Sequence, residues 1–199
     1  MSRTVIMGPP GAGKGTQGAL LSAVLGVPHI TTGGLFRDEV GRGTALGLQV
    51  ADALHSGRYV DDSLTTAMLR GRLQRDDAAD GFVLDGYPRT MEQVAALDEL
   101  LDEEDREIEA VILLHVEEST LLARLTNRAE DREDDRPEVV RERLARYHEL
   151  TPPIAQAYEE RGLLRRINGA YPVELVVEAV IAAARAVRHP LSMHGEPLR

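Results

Sequence analysis

Of the 23 lysine and arginine residues in this chain, 22 are arginine and one is lysine, Lys14, which falls in Gly8-Pro9-Pro10-Gly11-Ala12-Gly13-Lys14-Gly15-Thr16. An ammonium is a compact point charge and a guanidinium a wide planar fork, so a chain that uses arginine everywhere else marks Lys14 as a place where the point charge matters. Glycines at this spacing let the backbone take positive φ and aim successive N–H groups inward, making an anion cradle at the start of a helix. The chemistry implied is phosphate binding. The run departs from the usual pattern at one place: Gly15 follows the lysine, and the hydroxyl comes one residue later, at Thr16.

A second chemical signal is Phe82-Val83-Leu84-Asp85, an apolar run ending in a carboxylate. Beside a phosphate loop, an acid at a strand end is placed to hold Mg²⁺ through water, and Thr16 is a second oxygen candidate. In open α/β sheets ligands sit beyond the carboxyl ends of the strands, which would bring Asp85 and the glycine run to one edge. The six histidines show no ligand spacing, and His29 is expected to be a satisfied core histidine.

Positioning these groups requires a rigid frame. Apolar runs at Val5–Met7, Val27–Ile30, Phe82–Leu84, Ala110–Leu114 and Leu163–Ile167 read as buried strands alternating with helical patterns. That alternation predicts an α/β fold, a three-layer, doubly wound, parallel five-stranded sheet. Gln17–Val24 has a helical pattern, and helix starts are marked by Asp61, by Thr90 with Gln93 three residues on, and by Asp135 before Pro137. Two insertions interrupt the alternation, residues 31–60 with two short helical patterns and the charged stretch 129–136; both read as small mobile lobes on the sheet. The core is therefore expected over 1–30, 61–128 and 137–187, with 188–199 a loose tail.

Composition narrows the partners. The 199 residues, 43% hydrophobic, suffice for one core. No cysteine is present, which excludes a disulfide framework and fits a cytoplasmic protein without a membrane span. A net charge of −10 argues against nucleic-acid binding and is compatible with arginines ringing a small polyphosphate. A monomer is expected.

Taken together, Gly8 to Gln17, Thr31-Thr32-Gly33, Asp85-Gly86-Tyr87-Pro88-Arg89-Thr90, and Asp134-Asp135 followed by Arg143 resemble the adenylate kinases, the short-lid form of the nucleoside monophosphate kinase family. The resemblance covers nearly the whole chain through about Val187. It implies a P-loop nucleoside triphosphate hydrolase type of fold and reversible phosphoryl transfer from MgATP to AMP, giving two ADP. It places Gly11, Ala12, Gly13, Lys14, Gly15 and Thr16 around the ATP phosphates, with Arg124, Arg128 and the backbone of Tyr171 also on the ATP side. Thr32, Arg37, the Arg58-Tyr59-Val60 backbone, Gly86, Tyr87, Pro88, Arg89 and Gln93 match the AMP side. Arg132 and Arg143 match positions touching both phosphate groups, and Lys14, Arg89, Arg132 and Arg143 are the expected catalytic set. Residues 31–60 would be the AMP-binding lobe and 129–136 a short lid with no zinc.

Thr32 and Gln93 favour adenine, since an amide both donates to and accepts from its edge, whereas the related uridylate-cytidylate kinases, the alternative within the family, tend to carry alanine where Thr32 lies and asparagines after the Pro-Arg, where this chain reads Pro88-Arg89-Thr90. A non-catalytic nucleotide sensor is the other alternative, but it would not need acceptor-side arginines. Family members usually carry aspartate where this chain has Gly34. Gly34→Asp is expected to raise turnover or tighten the Mg²⁺ dependence; steady-state kinetics across a Mg²⁺ titration check this, and unchanged values would refute it.

Overall fold

The computed structural model describes residues 2–56, 59–126 and 137–186. Five strands form one parallel sheet: β1 (Ser2–Met7), β2 (His29–Thr31), β3 (Gly81–Asp85), β4 (Ala110–His115) and β5 (Leu164–Asn168), in the spatial order β2-β3-β1-β4-β5. The chain builds one side of β1 and then crosses to the other at β4, so the reversal of strand order lies at β1, where the glycine run begins. The register sets Ile6 beside Asp85 and Thr31 beside Asp85, which brings the carboxyl ends of β1, β2 and β3 to one edge.

Alternation within the strands sorts the core into two layers. Val5, Met7, Phe82, Leu84, Val111 and Leu113 face one way, against Leu69, Leu97 and Tyr158 of the helices α4 (Asp62–Leu73), α5 (Met91–Asp102) and α7 (Pro137–Glu160). Ile6, Val83, Ile112 and Leu114 face the other, against Leu21 of α1 (Lys14–Leu25), Leu121 of α6 (Glu118–Thr126), Leu144 of α7 and Val176 of α8 (Val173–Arg185). Because both faces are covered, the strands read as continuous apolar runs. The expected α/β three-layer sheet is the observed one.

Among the boundaries that differ from expectation, two have a clear local cause. Helix α1 starts at Lys14, not near Gln17: Gly13, at φ 94°, turns the chain so that its carbonyl accepts the Gln17 N–H at 3.0 Å and the helix begins inside the loop. Strand β2 starts after Pro28, which has no N–H for a ladder; its carbonyl instead accepts the Val83 N–H at 2.9 Å.

The 31–60 insertion holds α2 (Thr32–Gly41) and α3 (Ala45–Ser56), as the two helical patterns predict. Phe36, Val50 and Val60 form a small core of its own, backed by Val40, Ala53, Leu64 and Met68. The caps at Asp61 and Thr90 are formed, their side chains accepting the Leu64 and Gln93 N–H groups. The helix start at Asp135, the 129–136 insertion and the 188–199 tail lie outside the described residues. Among those described, no helix is long and apolar enough to cross a membrane.

Candidate active site

The edge defined by the strand ends opens into a cleft. It is lined by Gly8, Pro10 and Lys14 from the loop after β1, by Tyr59 returning from the 31–60 insertion, by Gly86, Tyr87, Pro88 and Arg89 after β3, and by Arg143, Tyr147 and Thr151 of α7. Three cations, Lys14, Arg89 and Arg143, thus share one cleft, and none of the described residues lining it is a carboxylate. In a chain of net charge −10 this is a strong local reversal of sign, suited to a polyphosphate.

The loop itself is built for close approach. Gly8 sits at φ 148°, and a Cβ there would lie 2.7 Å from the Leu114 carbonyl oxygen of β4, so the chain can leave β1 there only as glycine. At Gly13 the left-handed turn leaves open space, with no atom within 4 Å of where a Cβ would stand. That open side at the N-terminus of α1 is where backbone N–H groups meet an anion. The Lys14 ammonium donates to the Gly8 and Pro9 carbonyls at 2.8 and 2.9 Å, which hold it over the loop without neutralising it. Gly11 and Ala12 precede Gly13 in the loop and Gly15 follows Lys14 in α1; Ala12 is buried, and Thr16 is exposed in the first turn of α1.

Asp85 ends β3 as expected, and its Oδ2 lies 3.9 Å from where a Gly15 Cβ would stand, beside the first turn of α1. Among the described residues no group of three or more His, Asp or Glu is placed to hold a metal. One hard carboxylate beside a phosphate cradle fits an Mg²⁺ that arrives on the nucleotide and keeps most of its water, since that ion is bound by one or two carboxylates plus substrate phosphates.

The residues expected on the AMP side are tied together by side chains. Thr32, fully buried, donates to the Gly86 carbonyl at 3.0 Å, joining the start of α2 to the turn after β3. Arg37 is exposed and folds back over Gly33, its Nη1 lying 3.2 Å from where a Gly33 Cβ would stand. Gln93 is buried; its Oε1 accepts the Arg89 N–H and its Nε2 donates to Asp62, each at 2.7 Å. Its amide therefore shapes the Arg89 turn, and contact with a base edge would draw on its remaining donor and lone pair. Tyr87 lines the cleft, while its hydroxyl pairs with Thr66 at 2.8 Å and burial raises its pKa. Arg124 in the last turn of α6 and Tyr171, exposed before α8, are not in the cleft lining. Arg58, Arg128 and Arg132 lie outside the described residues.

Sequence reasoning did not single out Asp62, which holds Gln93 and also accepts from the Thr90 hydroxyl, nor Tyr147, Thr151 and Arg146 of α7. These are contacts between distant elements, and only the strand-end motif pointed near them. Gly34 is in the first turn of α2, where its N–H donates to Thr31 Oγ1 at 2.9 Å; a Cβ there would lie 2.6 Å from that hydroxyl. An aspartate at 34 must therefore displace the cap of α2, at a cost of about 0.5–2 kcal/mol.

A parallel sheet whose order reverses at a glycine cradle, with cations converging on that edge, defines a nucleotide-binding protein of the phosphate-loop class. The family model described as adenylate kinase matches residues 6–163. The chain is 46% identical to the adenylate kinase of Leifsonia xyli subsp. xyli, over 96% of this chain and 98% of that one. It is 44% identical to that of Xylella fastidiosa, over 91% and 98%, and 42% identical to that of Thermobifida fusca, over 92% and 98%. The chain belongs to the adenylate kinase family.

His29 departs from expectation. It is not a satisfied core histidine: its Nε2 is buried with no hydrogen-bond partner among the described residues, pressed against Gly18, where a Cβ would lie 2.3 Å away. Burial lowers its pKa below the ordinary 6.5, and the Asp85 charge opposes this. The unfolded chain therefore binds more protons than the native one just below pH 6.5, so this contribution to stability is present above that pH and lost as pH falls through it. Denaturant melts on both sides of pH 6.5 should show a smaller acid-side loss for His29→Gln than for the parent; equal losses would refute it.

Proposed function

We propose that this enzyme transfers the terminal phosphoryl group of MgATP reversibly to AMP, giving two ADP. The observation that carries this reading is the one cleft in which Lys14, from the loop after β1, meets Arg89 after β3 and Arg143 of α7. A protein that only sensed a nucleotide would not need arginines on the acceptor side. Residues 31–60, with their own small core, are proposed as the AMP-binding lobe.

The chemistry asks little of the side chains beyond placement and charge. An oxygen of the AMP phosphate attacks the γ-phosphorus, one P–O bond forms in line as the bond to the β-phosphate oxygen breaks, and the leaving ADP takes the electron pair. The attacking oxygen is already ionised, so no general base is required. The cradle N–H groups and Lys14 hold the donor phosphates, Arg89 and Arg37 hold the acceptor phosphate, and Arg143 neutralises charge on the group in flight. Mg²⁺ on the nucleotide, held near Asp85 and Thr16, would add charge neutralisation across the donor phosphates. Closing the cleft excludes water as a competing acceptor.

The acidic balance of −10 supports free nucleotides as partners over nucleic acid, and a cytoplasmic monomer is the state we propose. Coupled ADP production should proceed with AMP well ahead of CMP, UMP and GMP, and Lys14→Met should lower kcat by about 10²–10³-fold, the loss of one preorganised donor. Comparable rates with CMP or UMP, or a Lys14→Met enzyme within a few-fold of the parent, would contradict the reading.

A further inference from the structure

Tyr59 enters the resemblance through its backbone alone, yet its ring holds a place in the cleft. The Arg89 guanidinium lies over the Tyr59 ring, 5.0 Å from its centroid, and the Arg146 guanidinium lies over the same ring at 5.7 Å. Arg146 is itself held on α7, its Nε donating to Glu142 Oε1 at 2.8 Å, and it stands three residues after Arg143, on the same face of the helix. One aromatic ring therefore links the 31–60 insertion, the arginine after β3 and the helix that carries Arg143.

We infer that Tyr59 is a positioning residue for the acceptor phosphate: its ring holds the Arg89 guanidinium at the cleft and joins the AMP lobe to α7 through Arg146. This rests on the AMP-acceptor reading above. Stacking engages the face of a guanidinium, whereas a phosphate takes its in-plane N–H fork, so ring and anion use different parts of the same group. A long, rotamer-rich side chain fixed in this way loses less freedom when the phosphate arrives. A ring suffices for this; the phenol hydroxyl is not needed.

The test is steady-state kinetics of the full chain with AMP and ATP varied separately. Tyr59→Leu is expected to raise the KM for AMP about two- to fivefold, the range for an exposed cation–π pair, with the KM for ATP unchanged. Tyr59→Phe is expected to retain the parent values. In an Arg89→Lys background, loss of the ring should add little, because the effect passes through Arg89. An unchanged AMP KM in Tyr59→Leu, an equal rise in Tyr59→Phe, a rise for both substrates, or a fully additive loss with Arg89→Lys would overturn the inference. A parent enzyme that makes no ADP from AMP would instead overturn the function on which it rests.

Discussion

Like charges do not gather in a cleft of their own accord, and the convergence of Lys14, Arg89 and Arg143 without a carboxylate among the described lining residues is the constraint that organises this molecule. Each cation is held by something rigid. Lys14 is tethered by the carbonyls of the loop that it closes. Arg89 follows a turn pinned through Gln93 to Asp62, and Arg143 rides on a helix of 24 residues packed on both core layers. The parallel sheet supplies the common edge, and its apolar strands, covered on both faces, make that edge stiff enough to keep the groups together.

The division of labour between lysine and arginine follows from shape. The compact ammonium suits a loop whose carbonyls tether it and whose backbone presents N–H groups. Among the described residues expected on the AMP side there is no second glycine cradle, and guanidinium forks are the groups proposed to hold the phosphate there.

Much of this was legible in the sequence, because it is encoded locally. The glycine run, the strand-end Asp85 and the capping pair Thr90 and Gln93 are short-range signals, and five apolar runs sufficed for the sheet and its parallel sense. What the sequence hid is contact between elements far apart in the chain: Asp62 holding Gln93, Tyr59 beneath Arg89, and His29 pressed against Gly18. Local rules also mislead at Pro152 and Pro153, which would ordinarily end a helix. Helix α7 continues through them; the carbonyls deprived of an N–H partner belong to His148 and Glu149, which are exposed to water.

The central claim is that donor and acceptor phosphates meet end to end in one cleft. It is tested most directly by calorimetric titration with two adenosines bridged by five phosphates, which spans both pockets at once. The account predicts one ligand per chain, bound far more tightly than ATP or AMP alone because the second pocket is filled intramolecularly. Binding no tighter than ATP alone, or two ligands per chain, would contradict it.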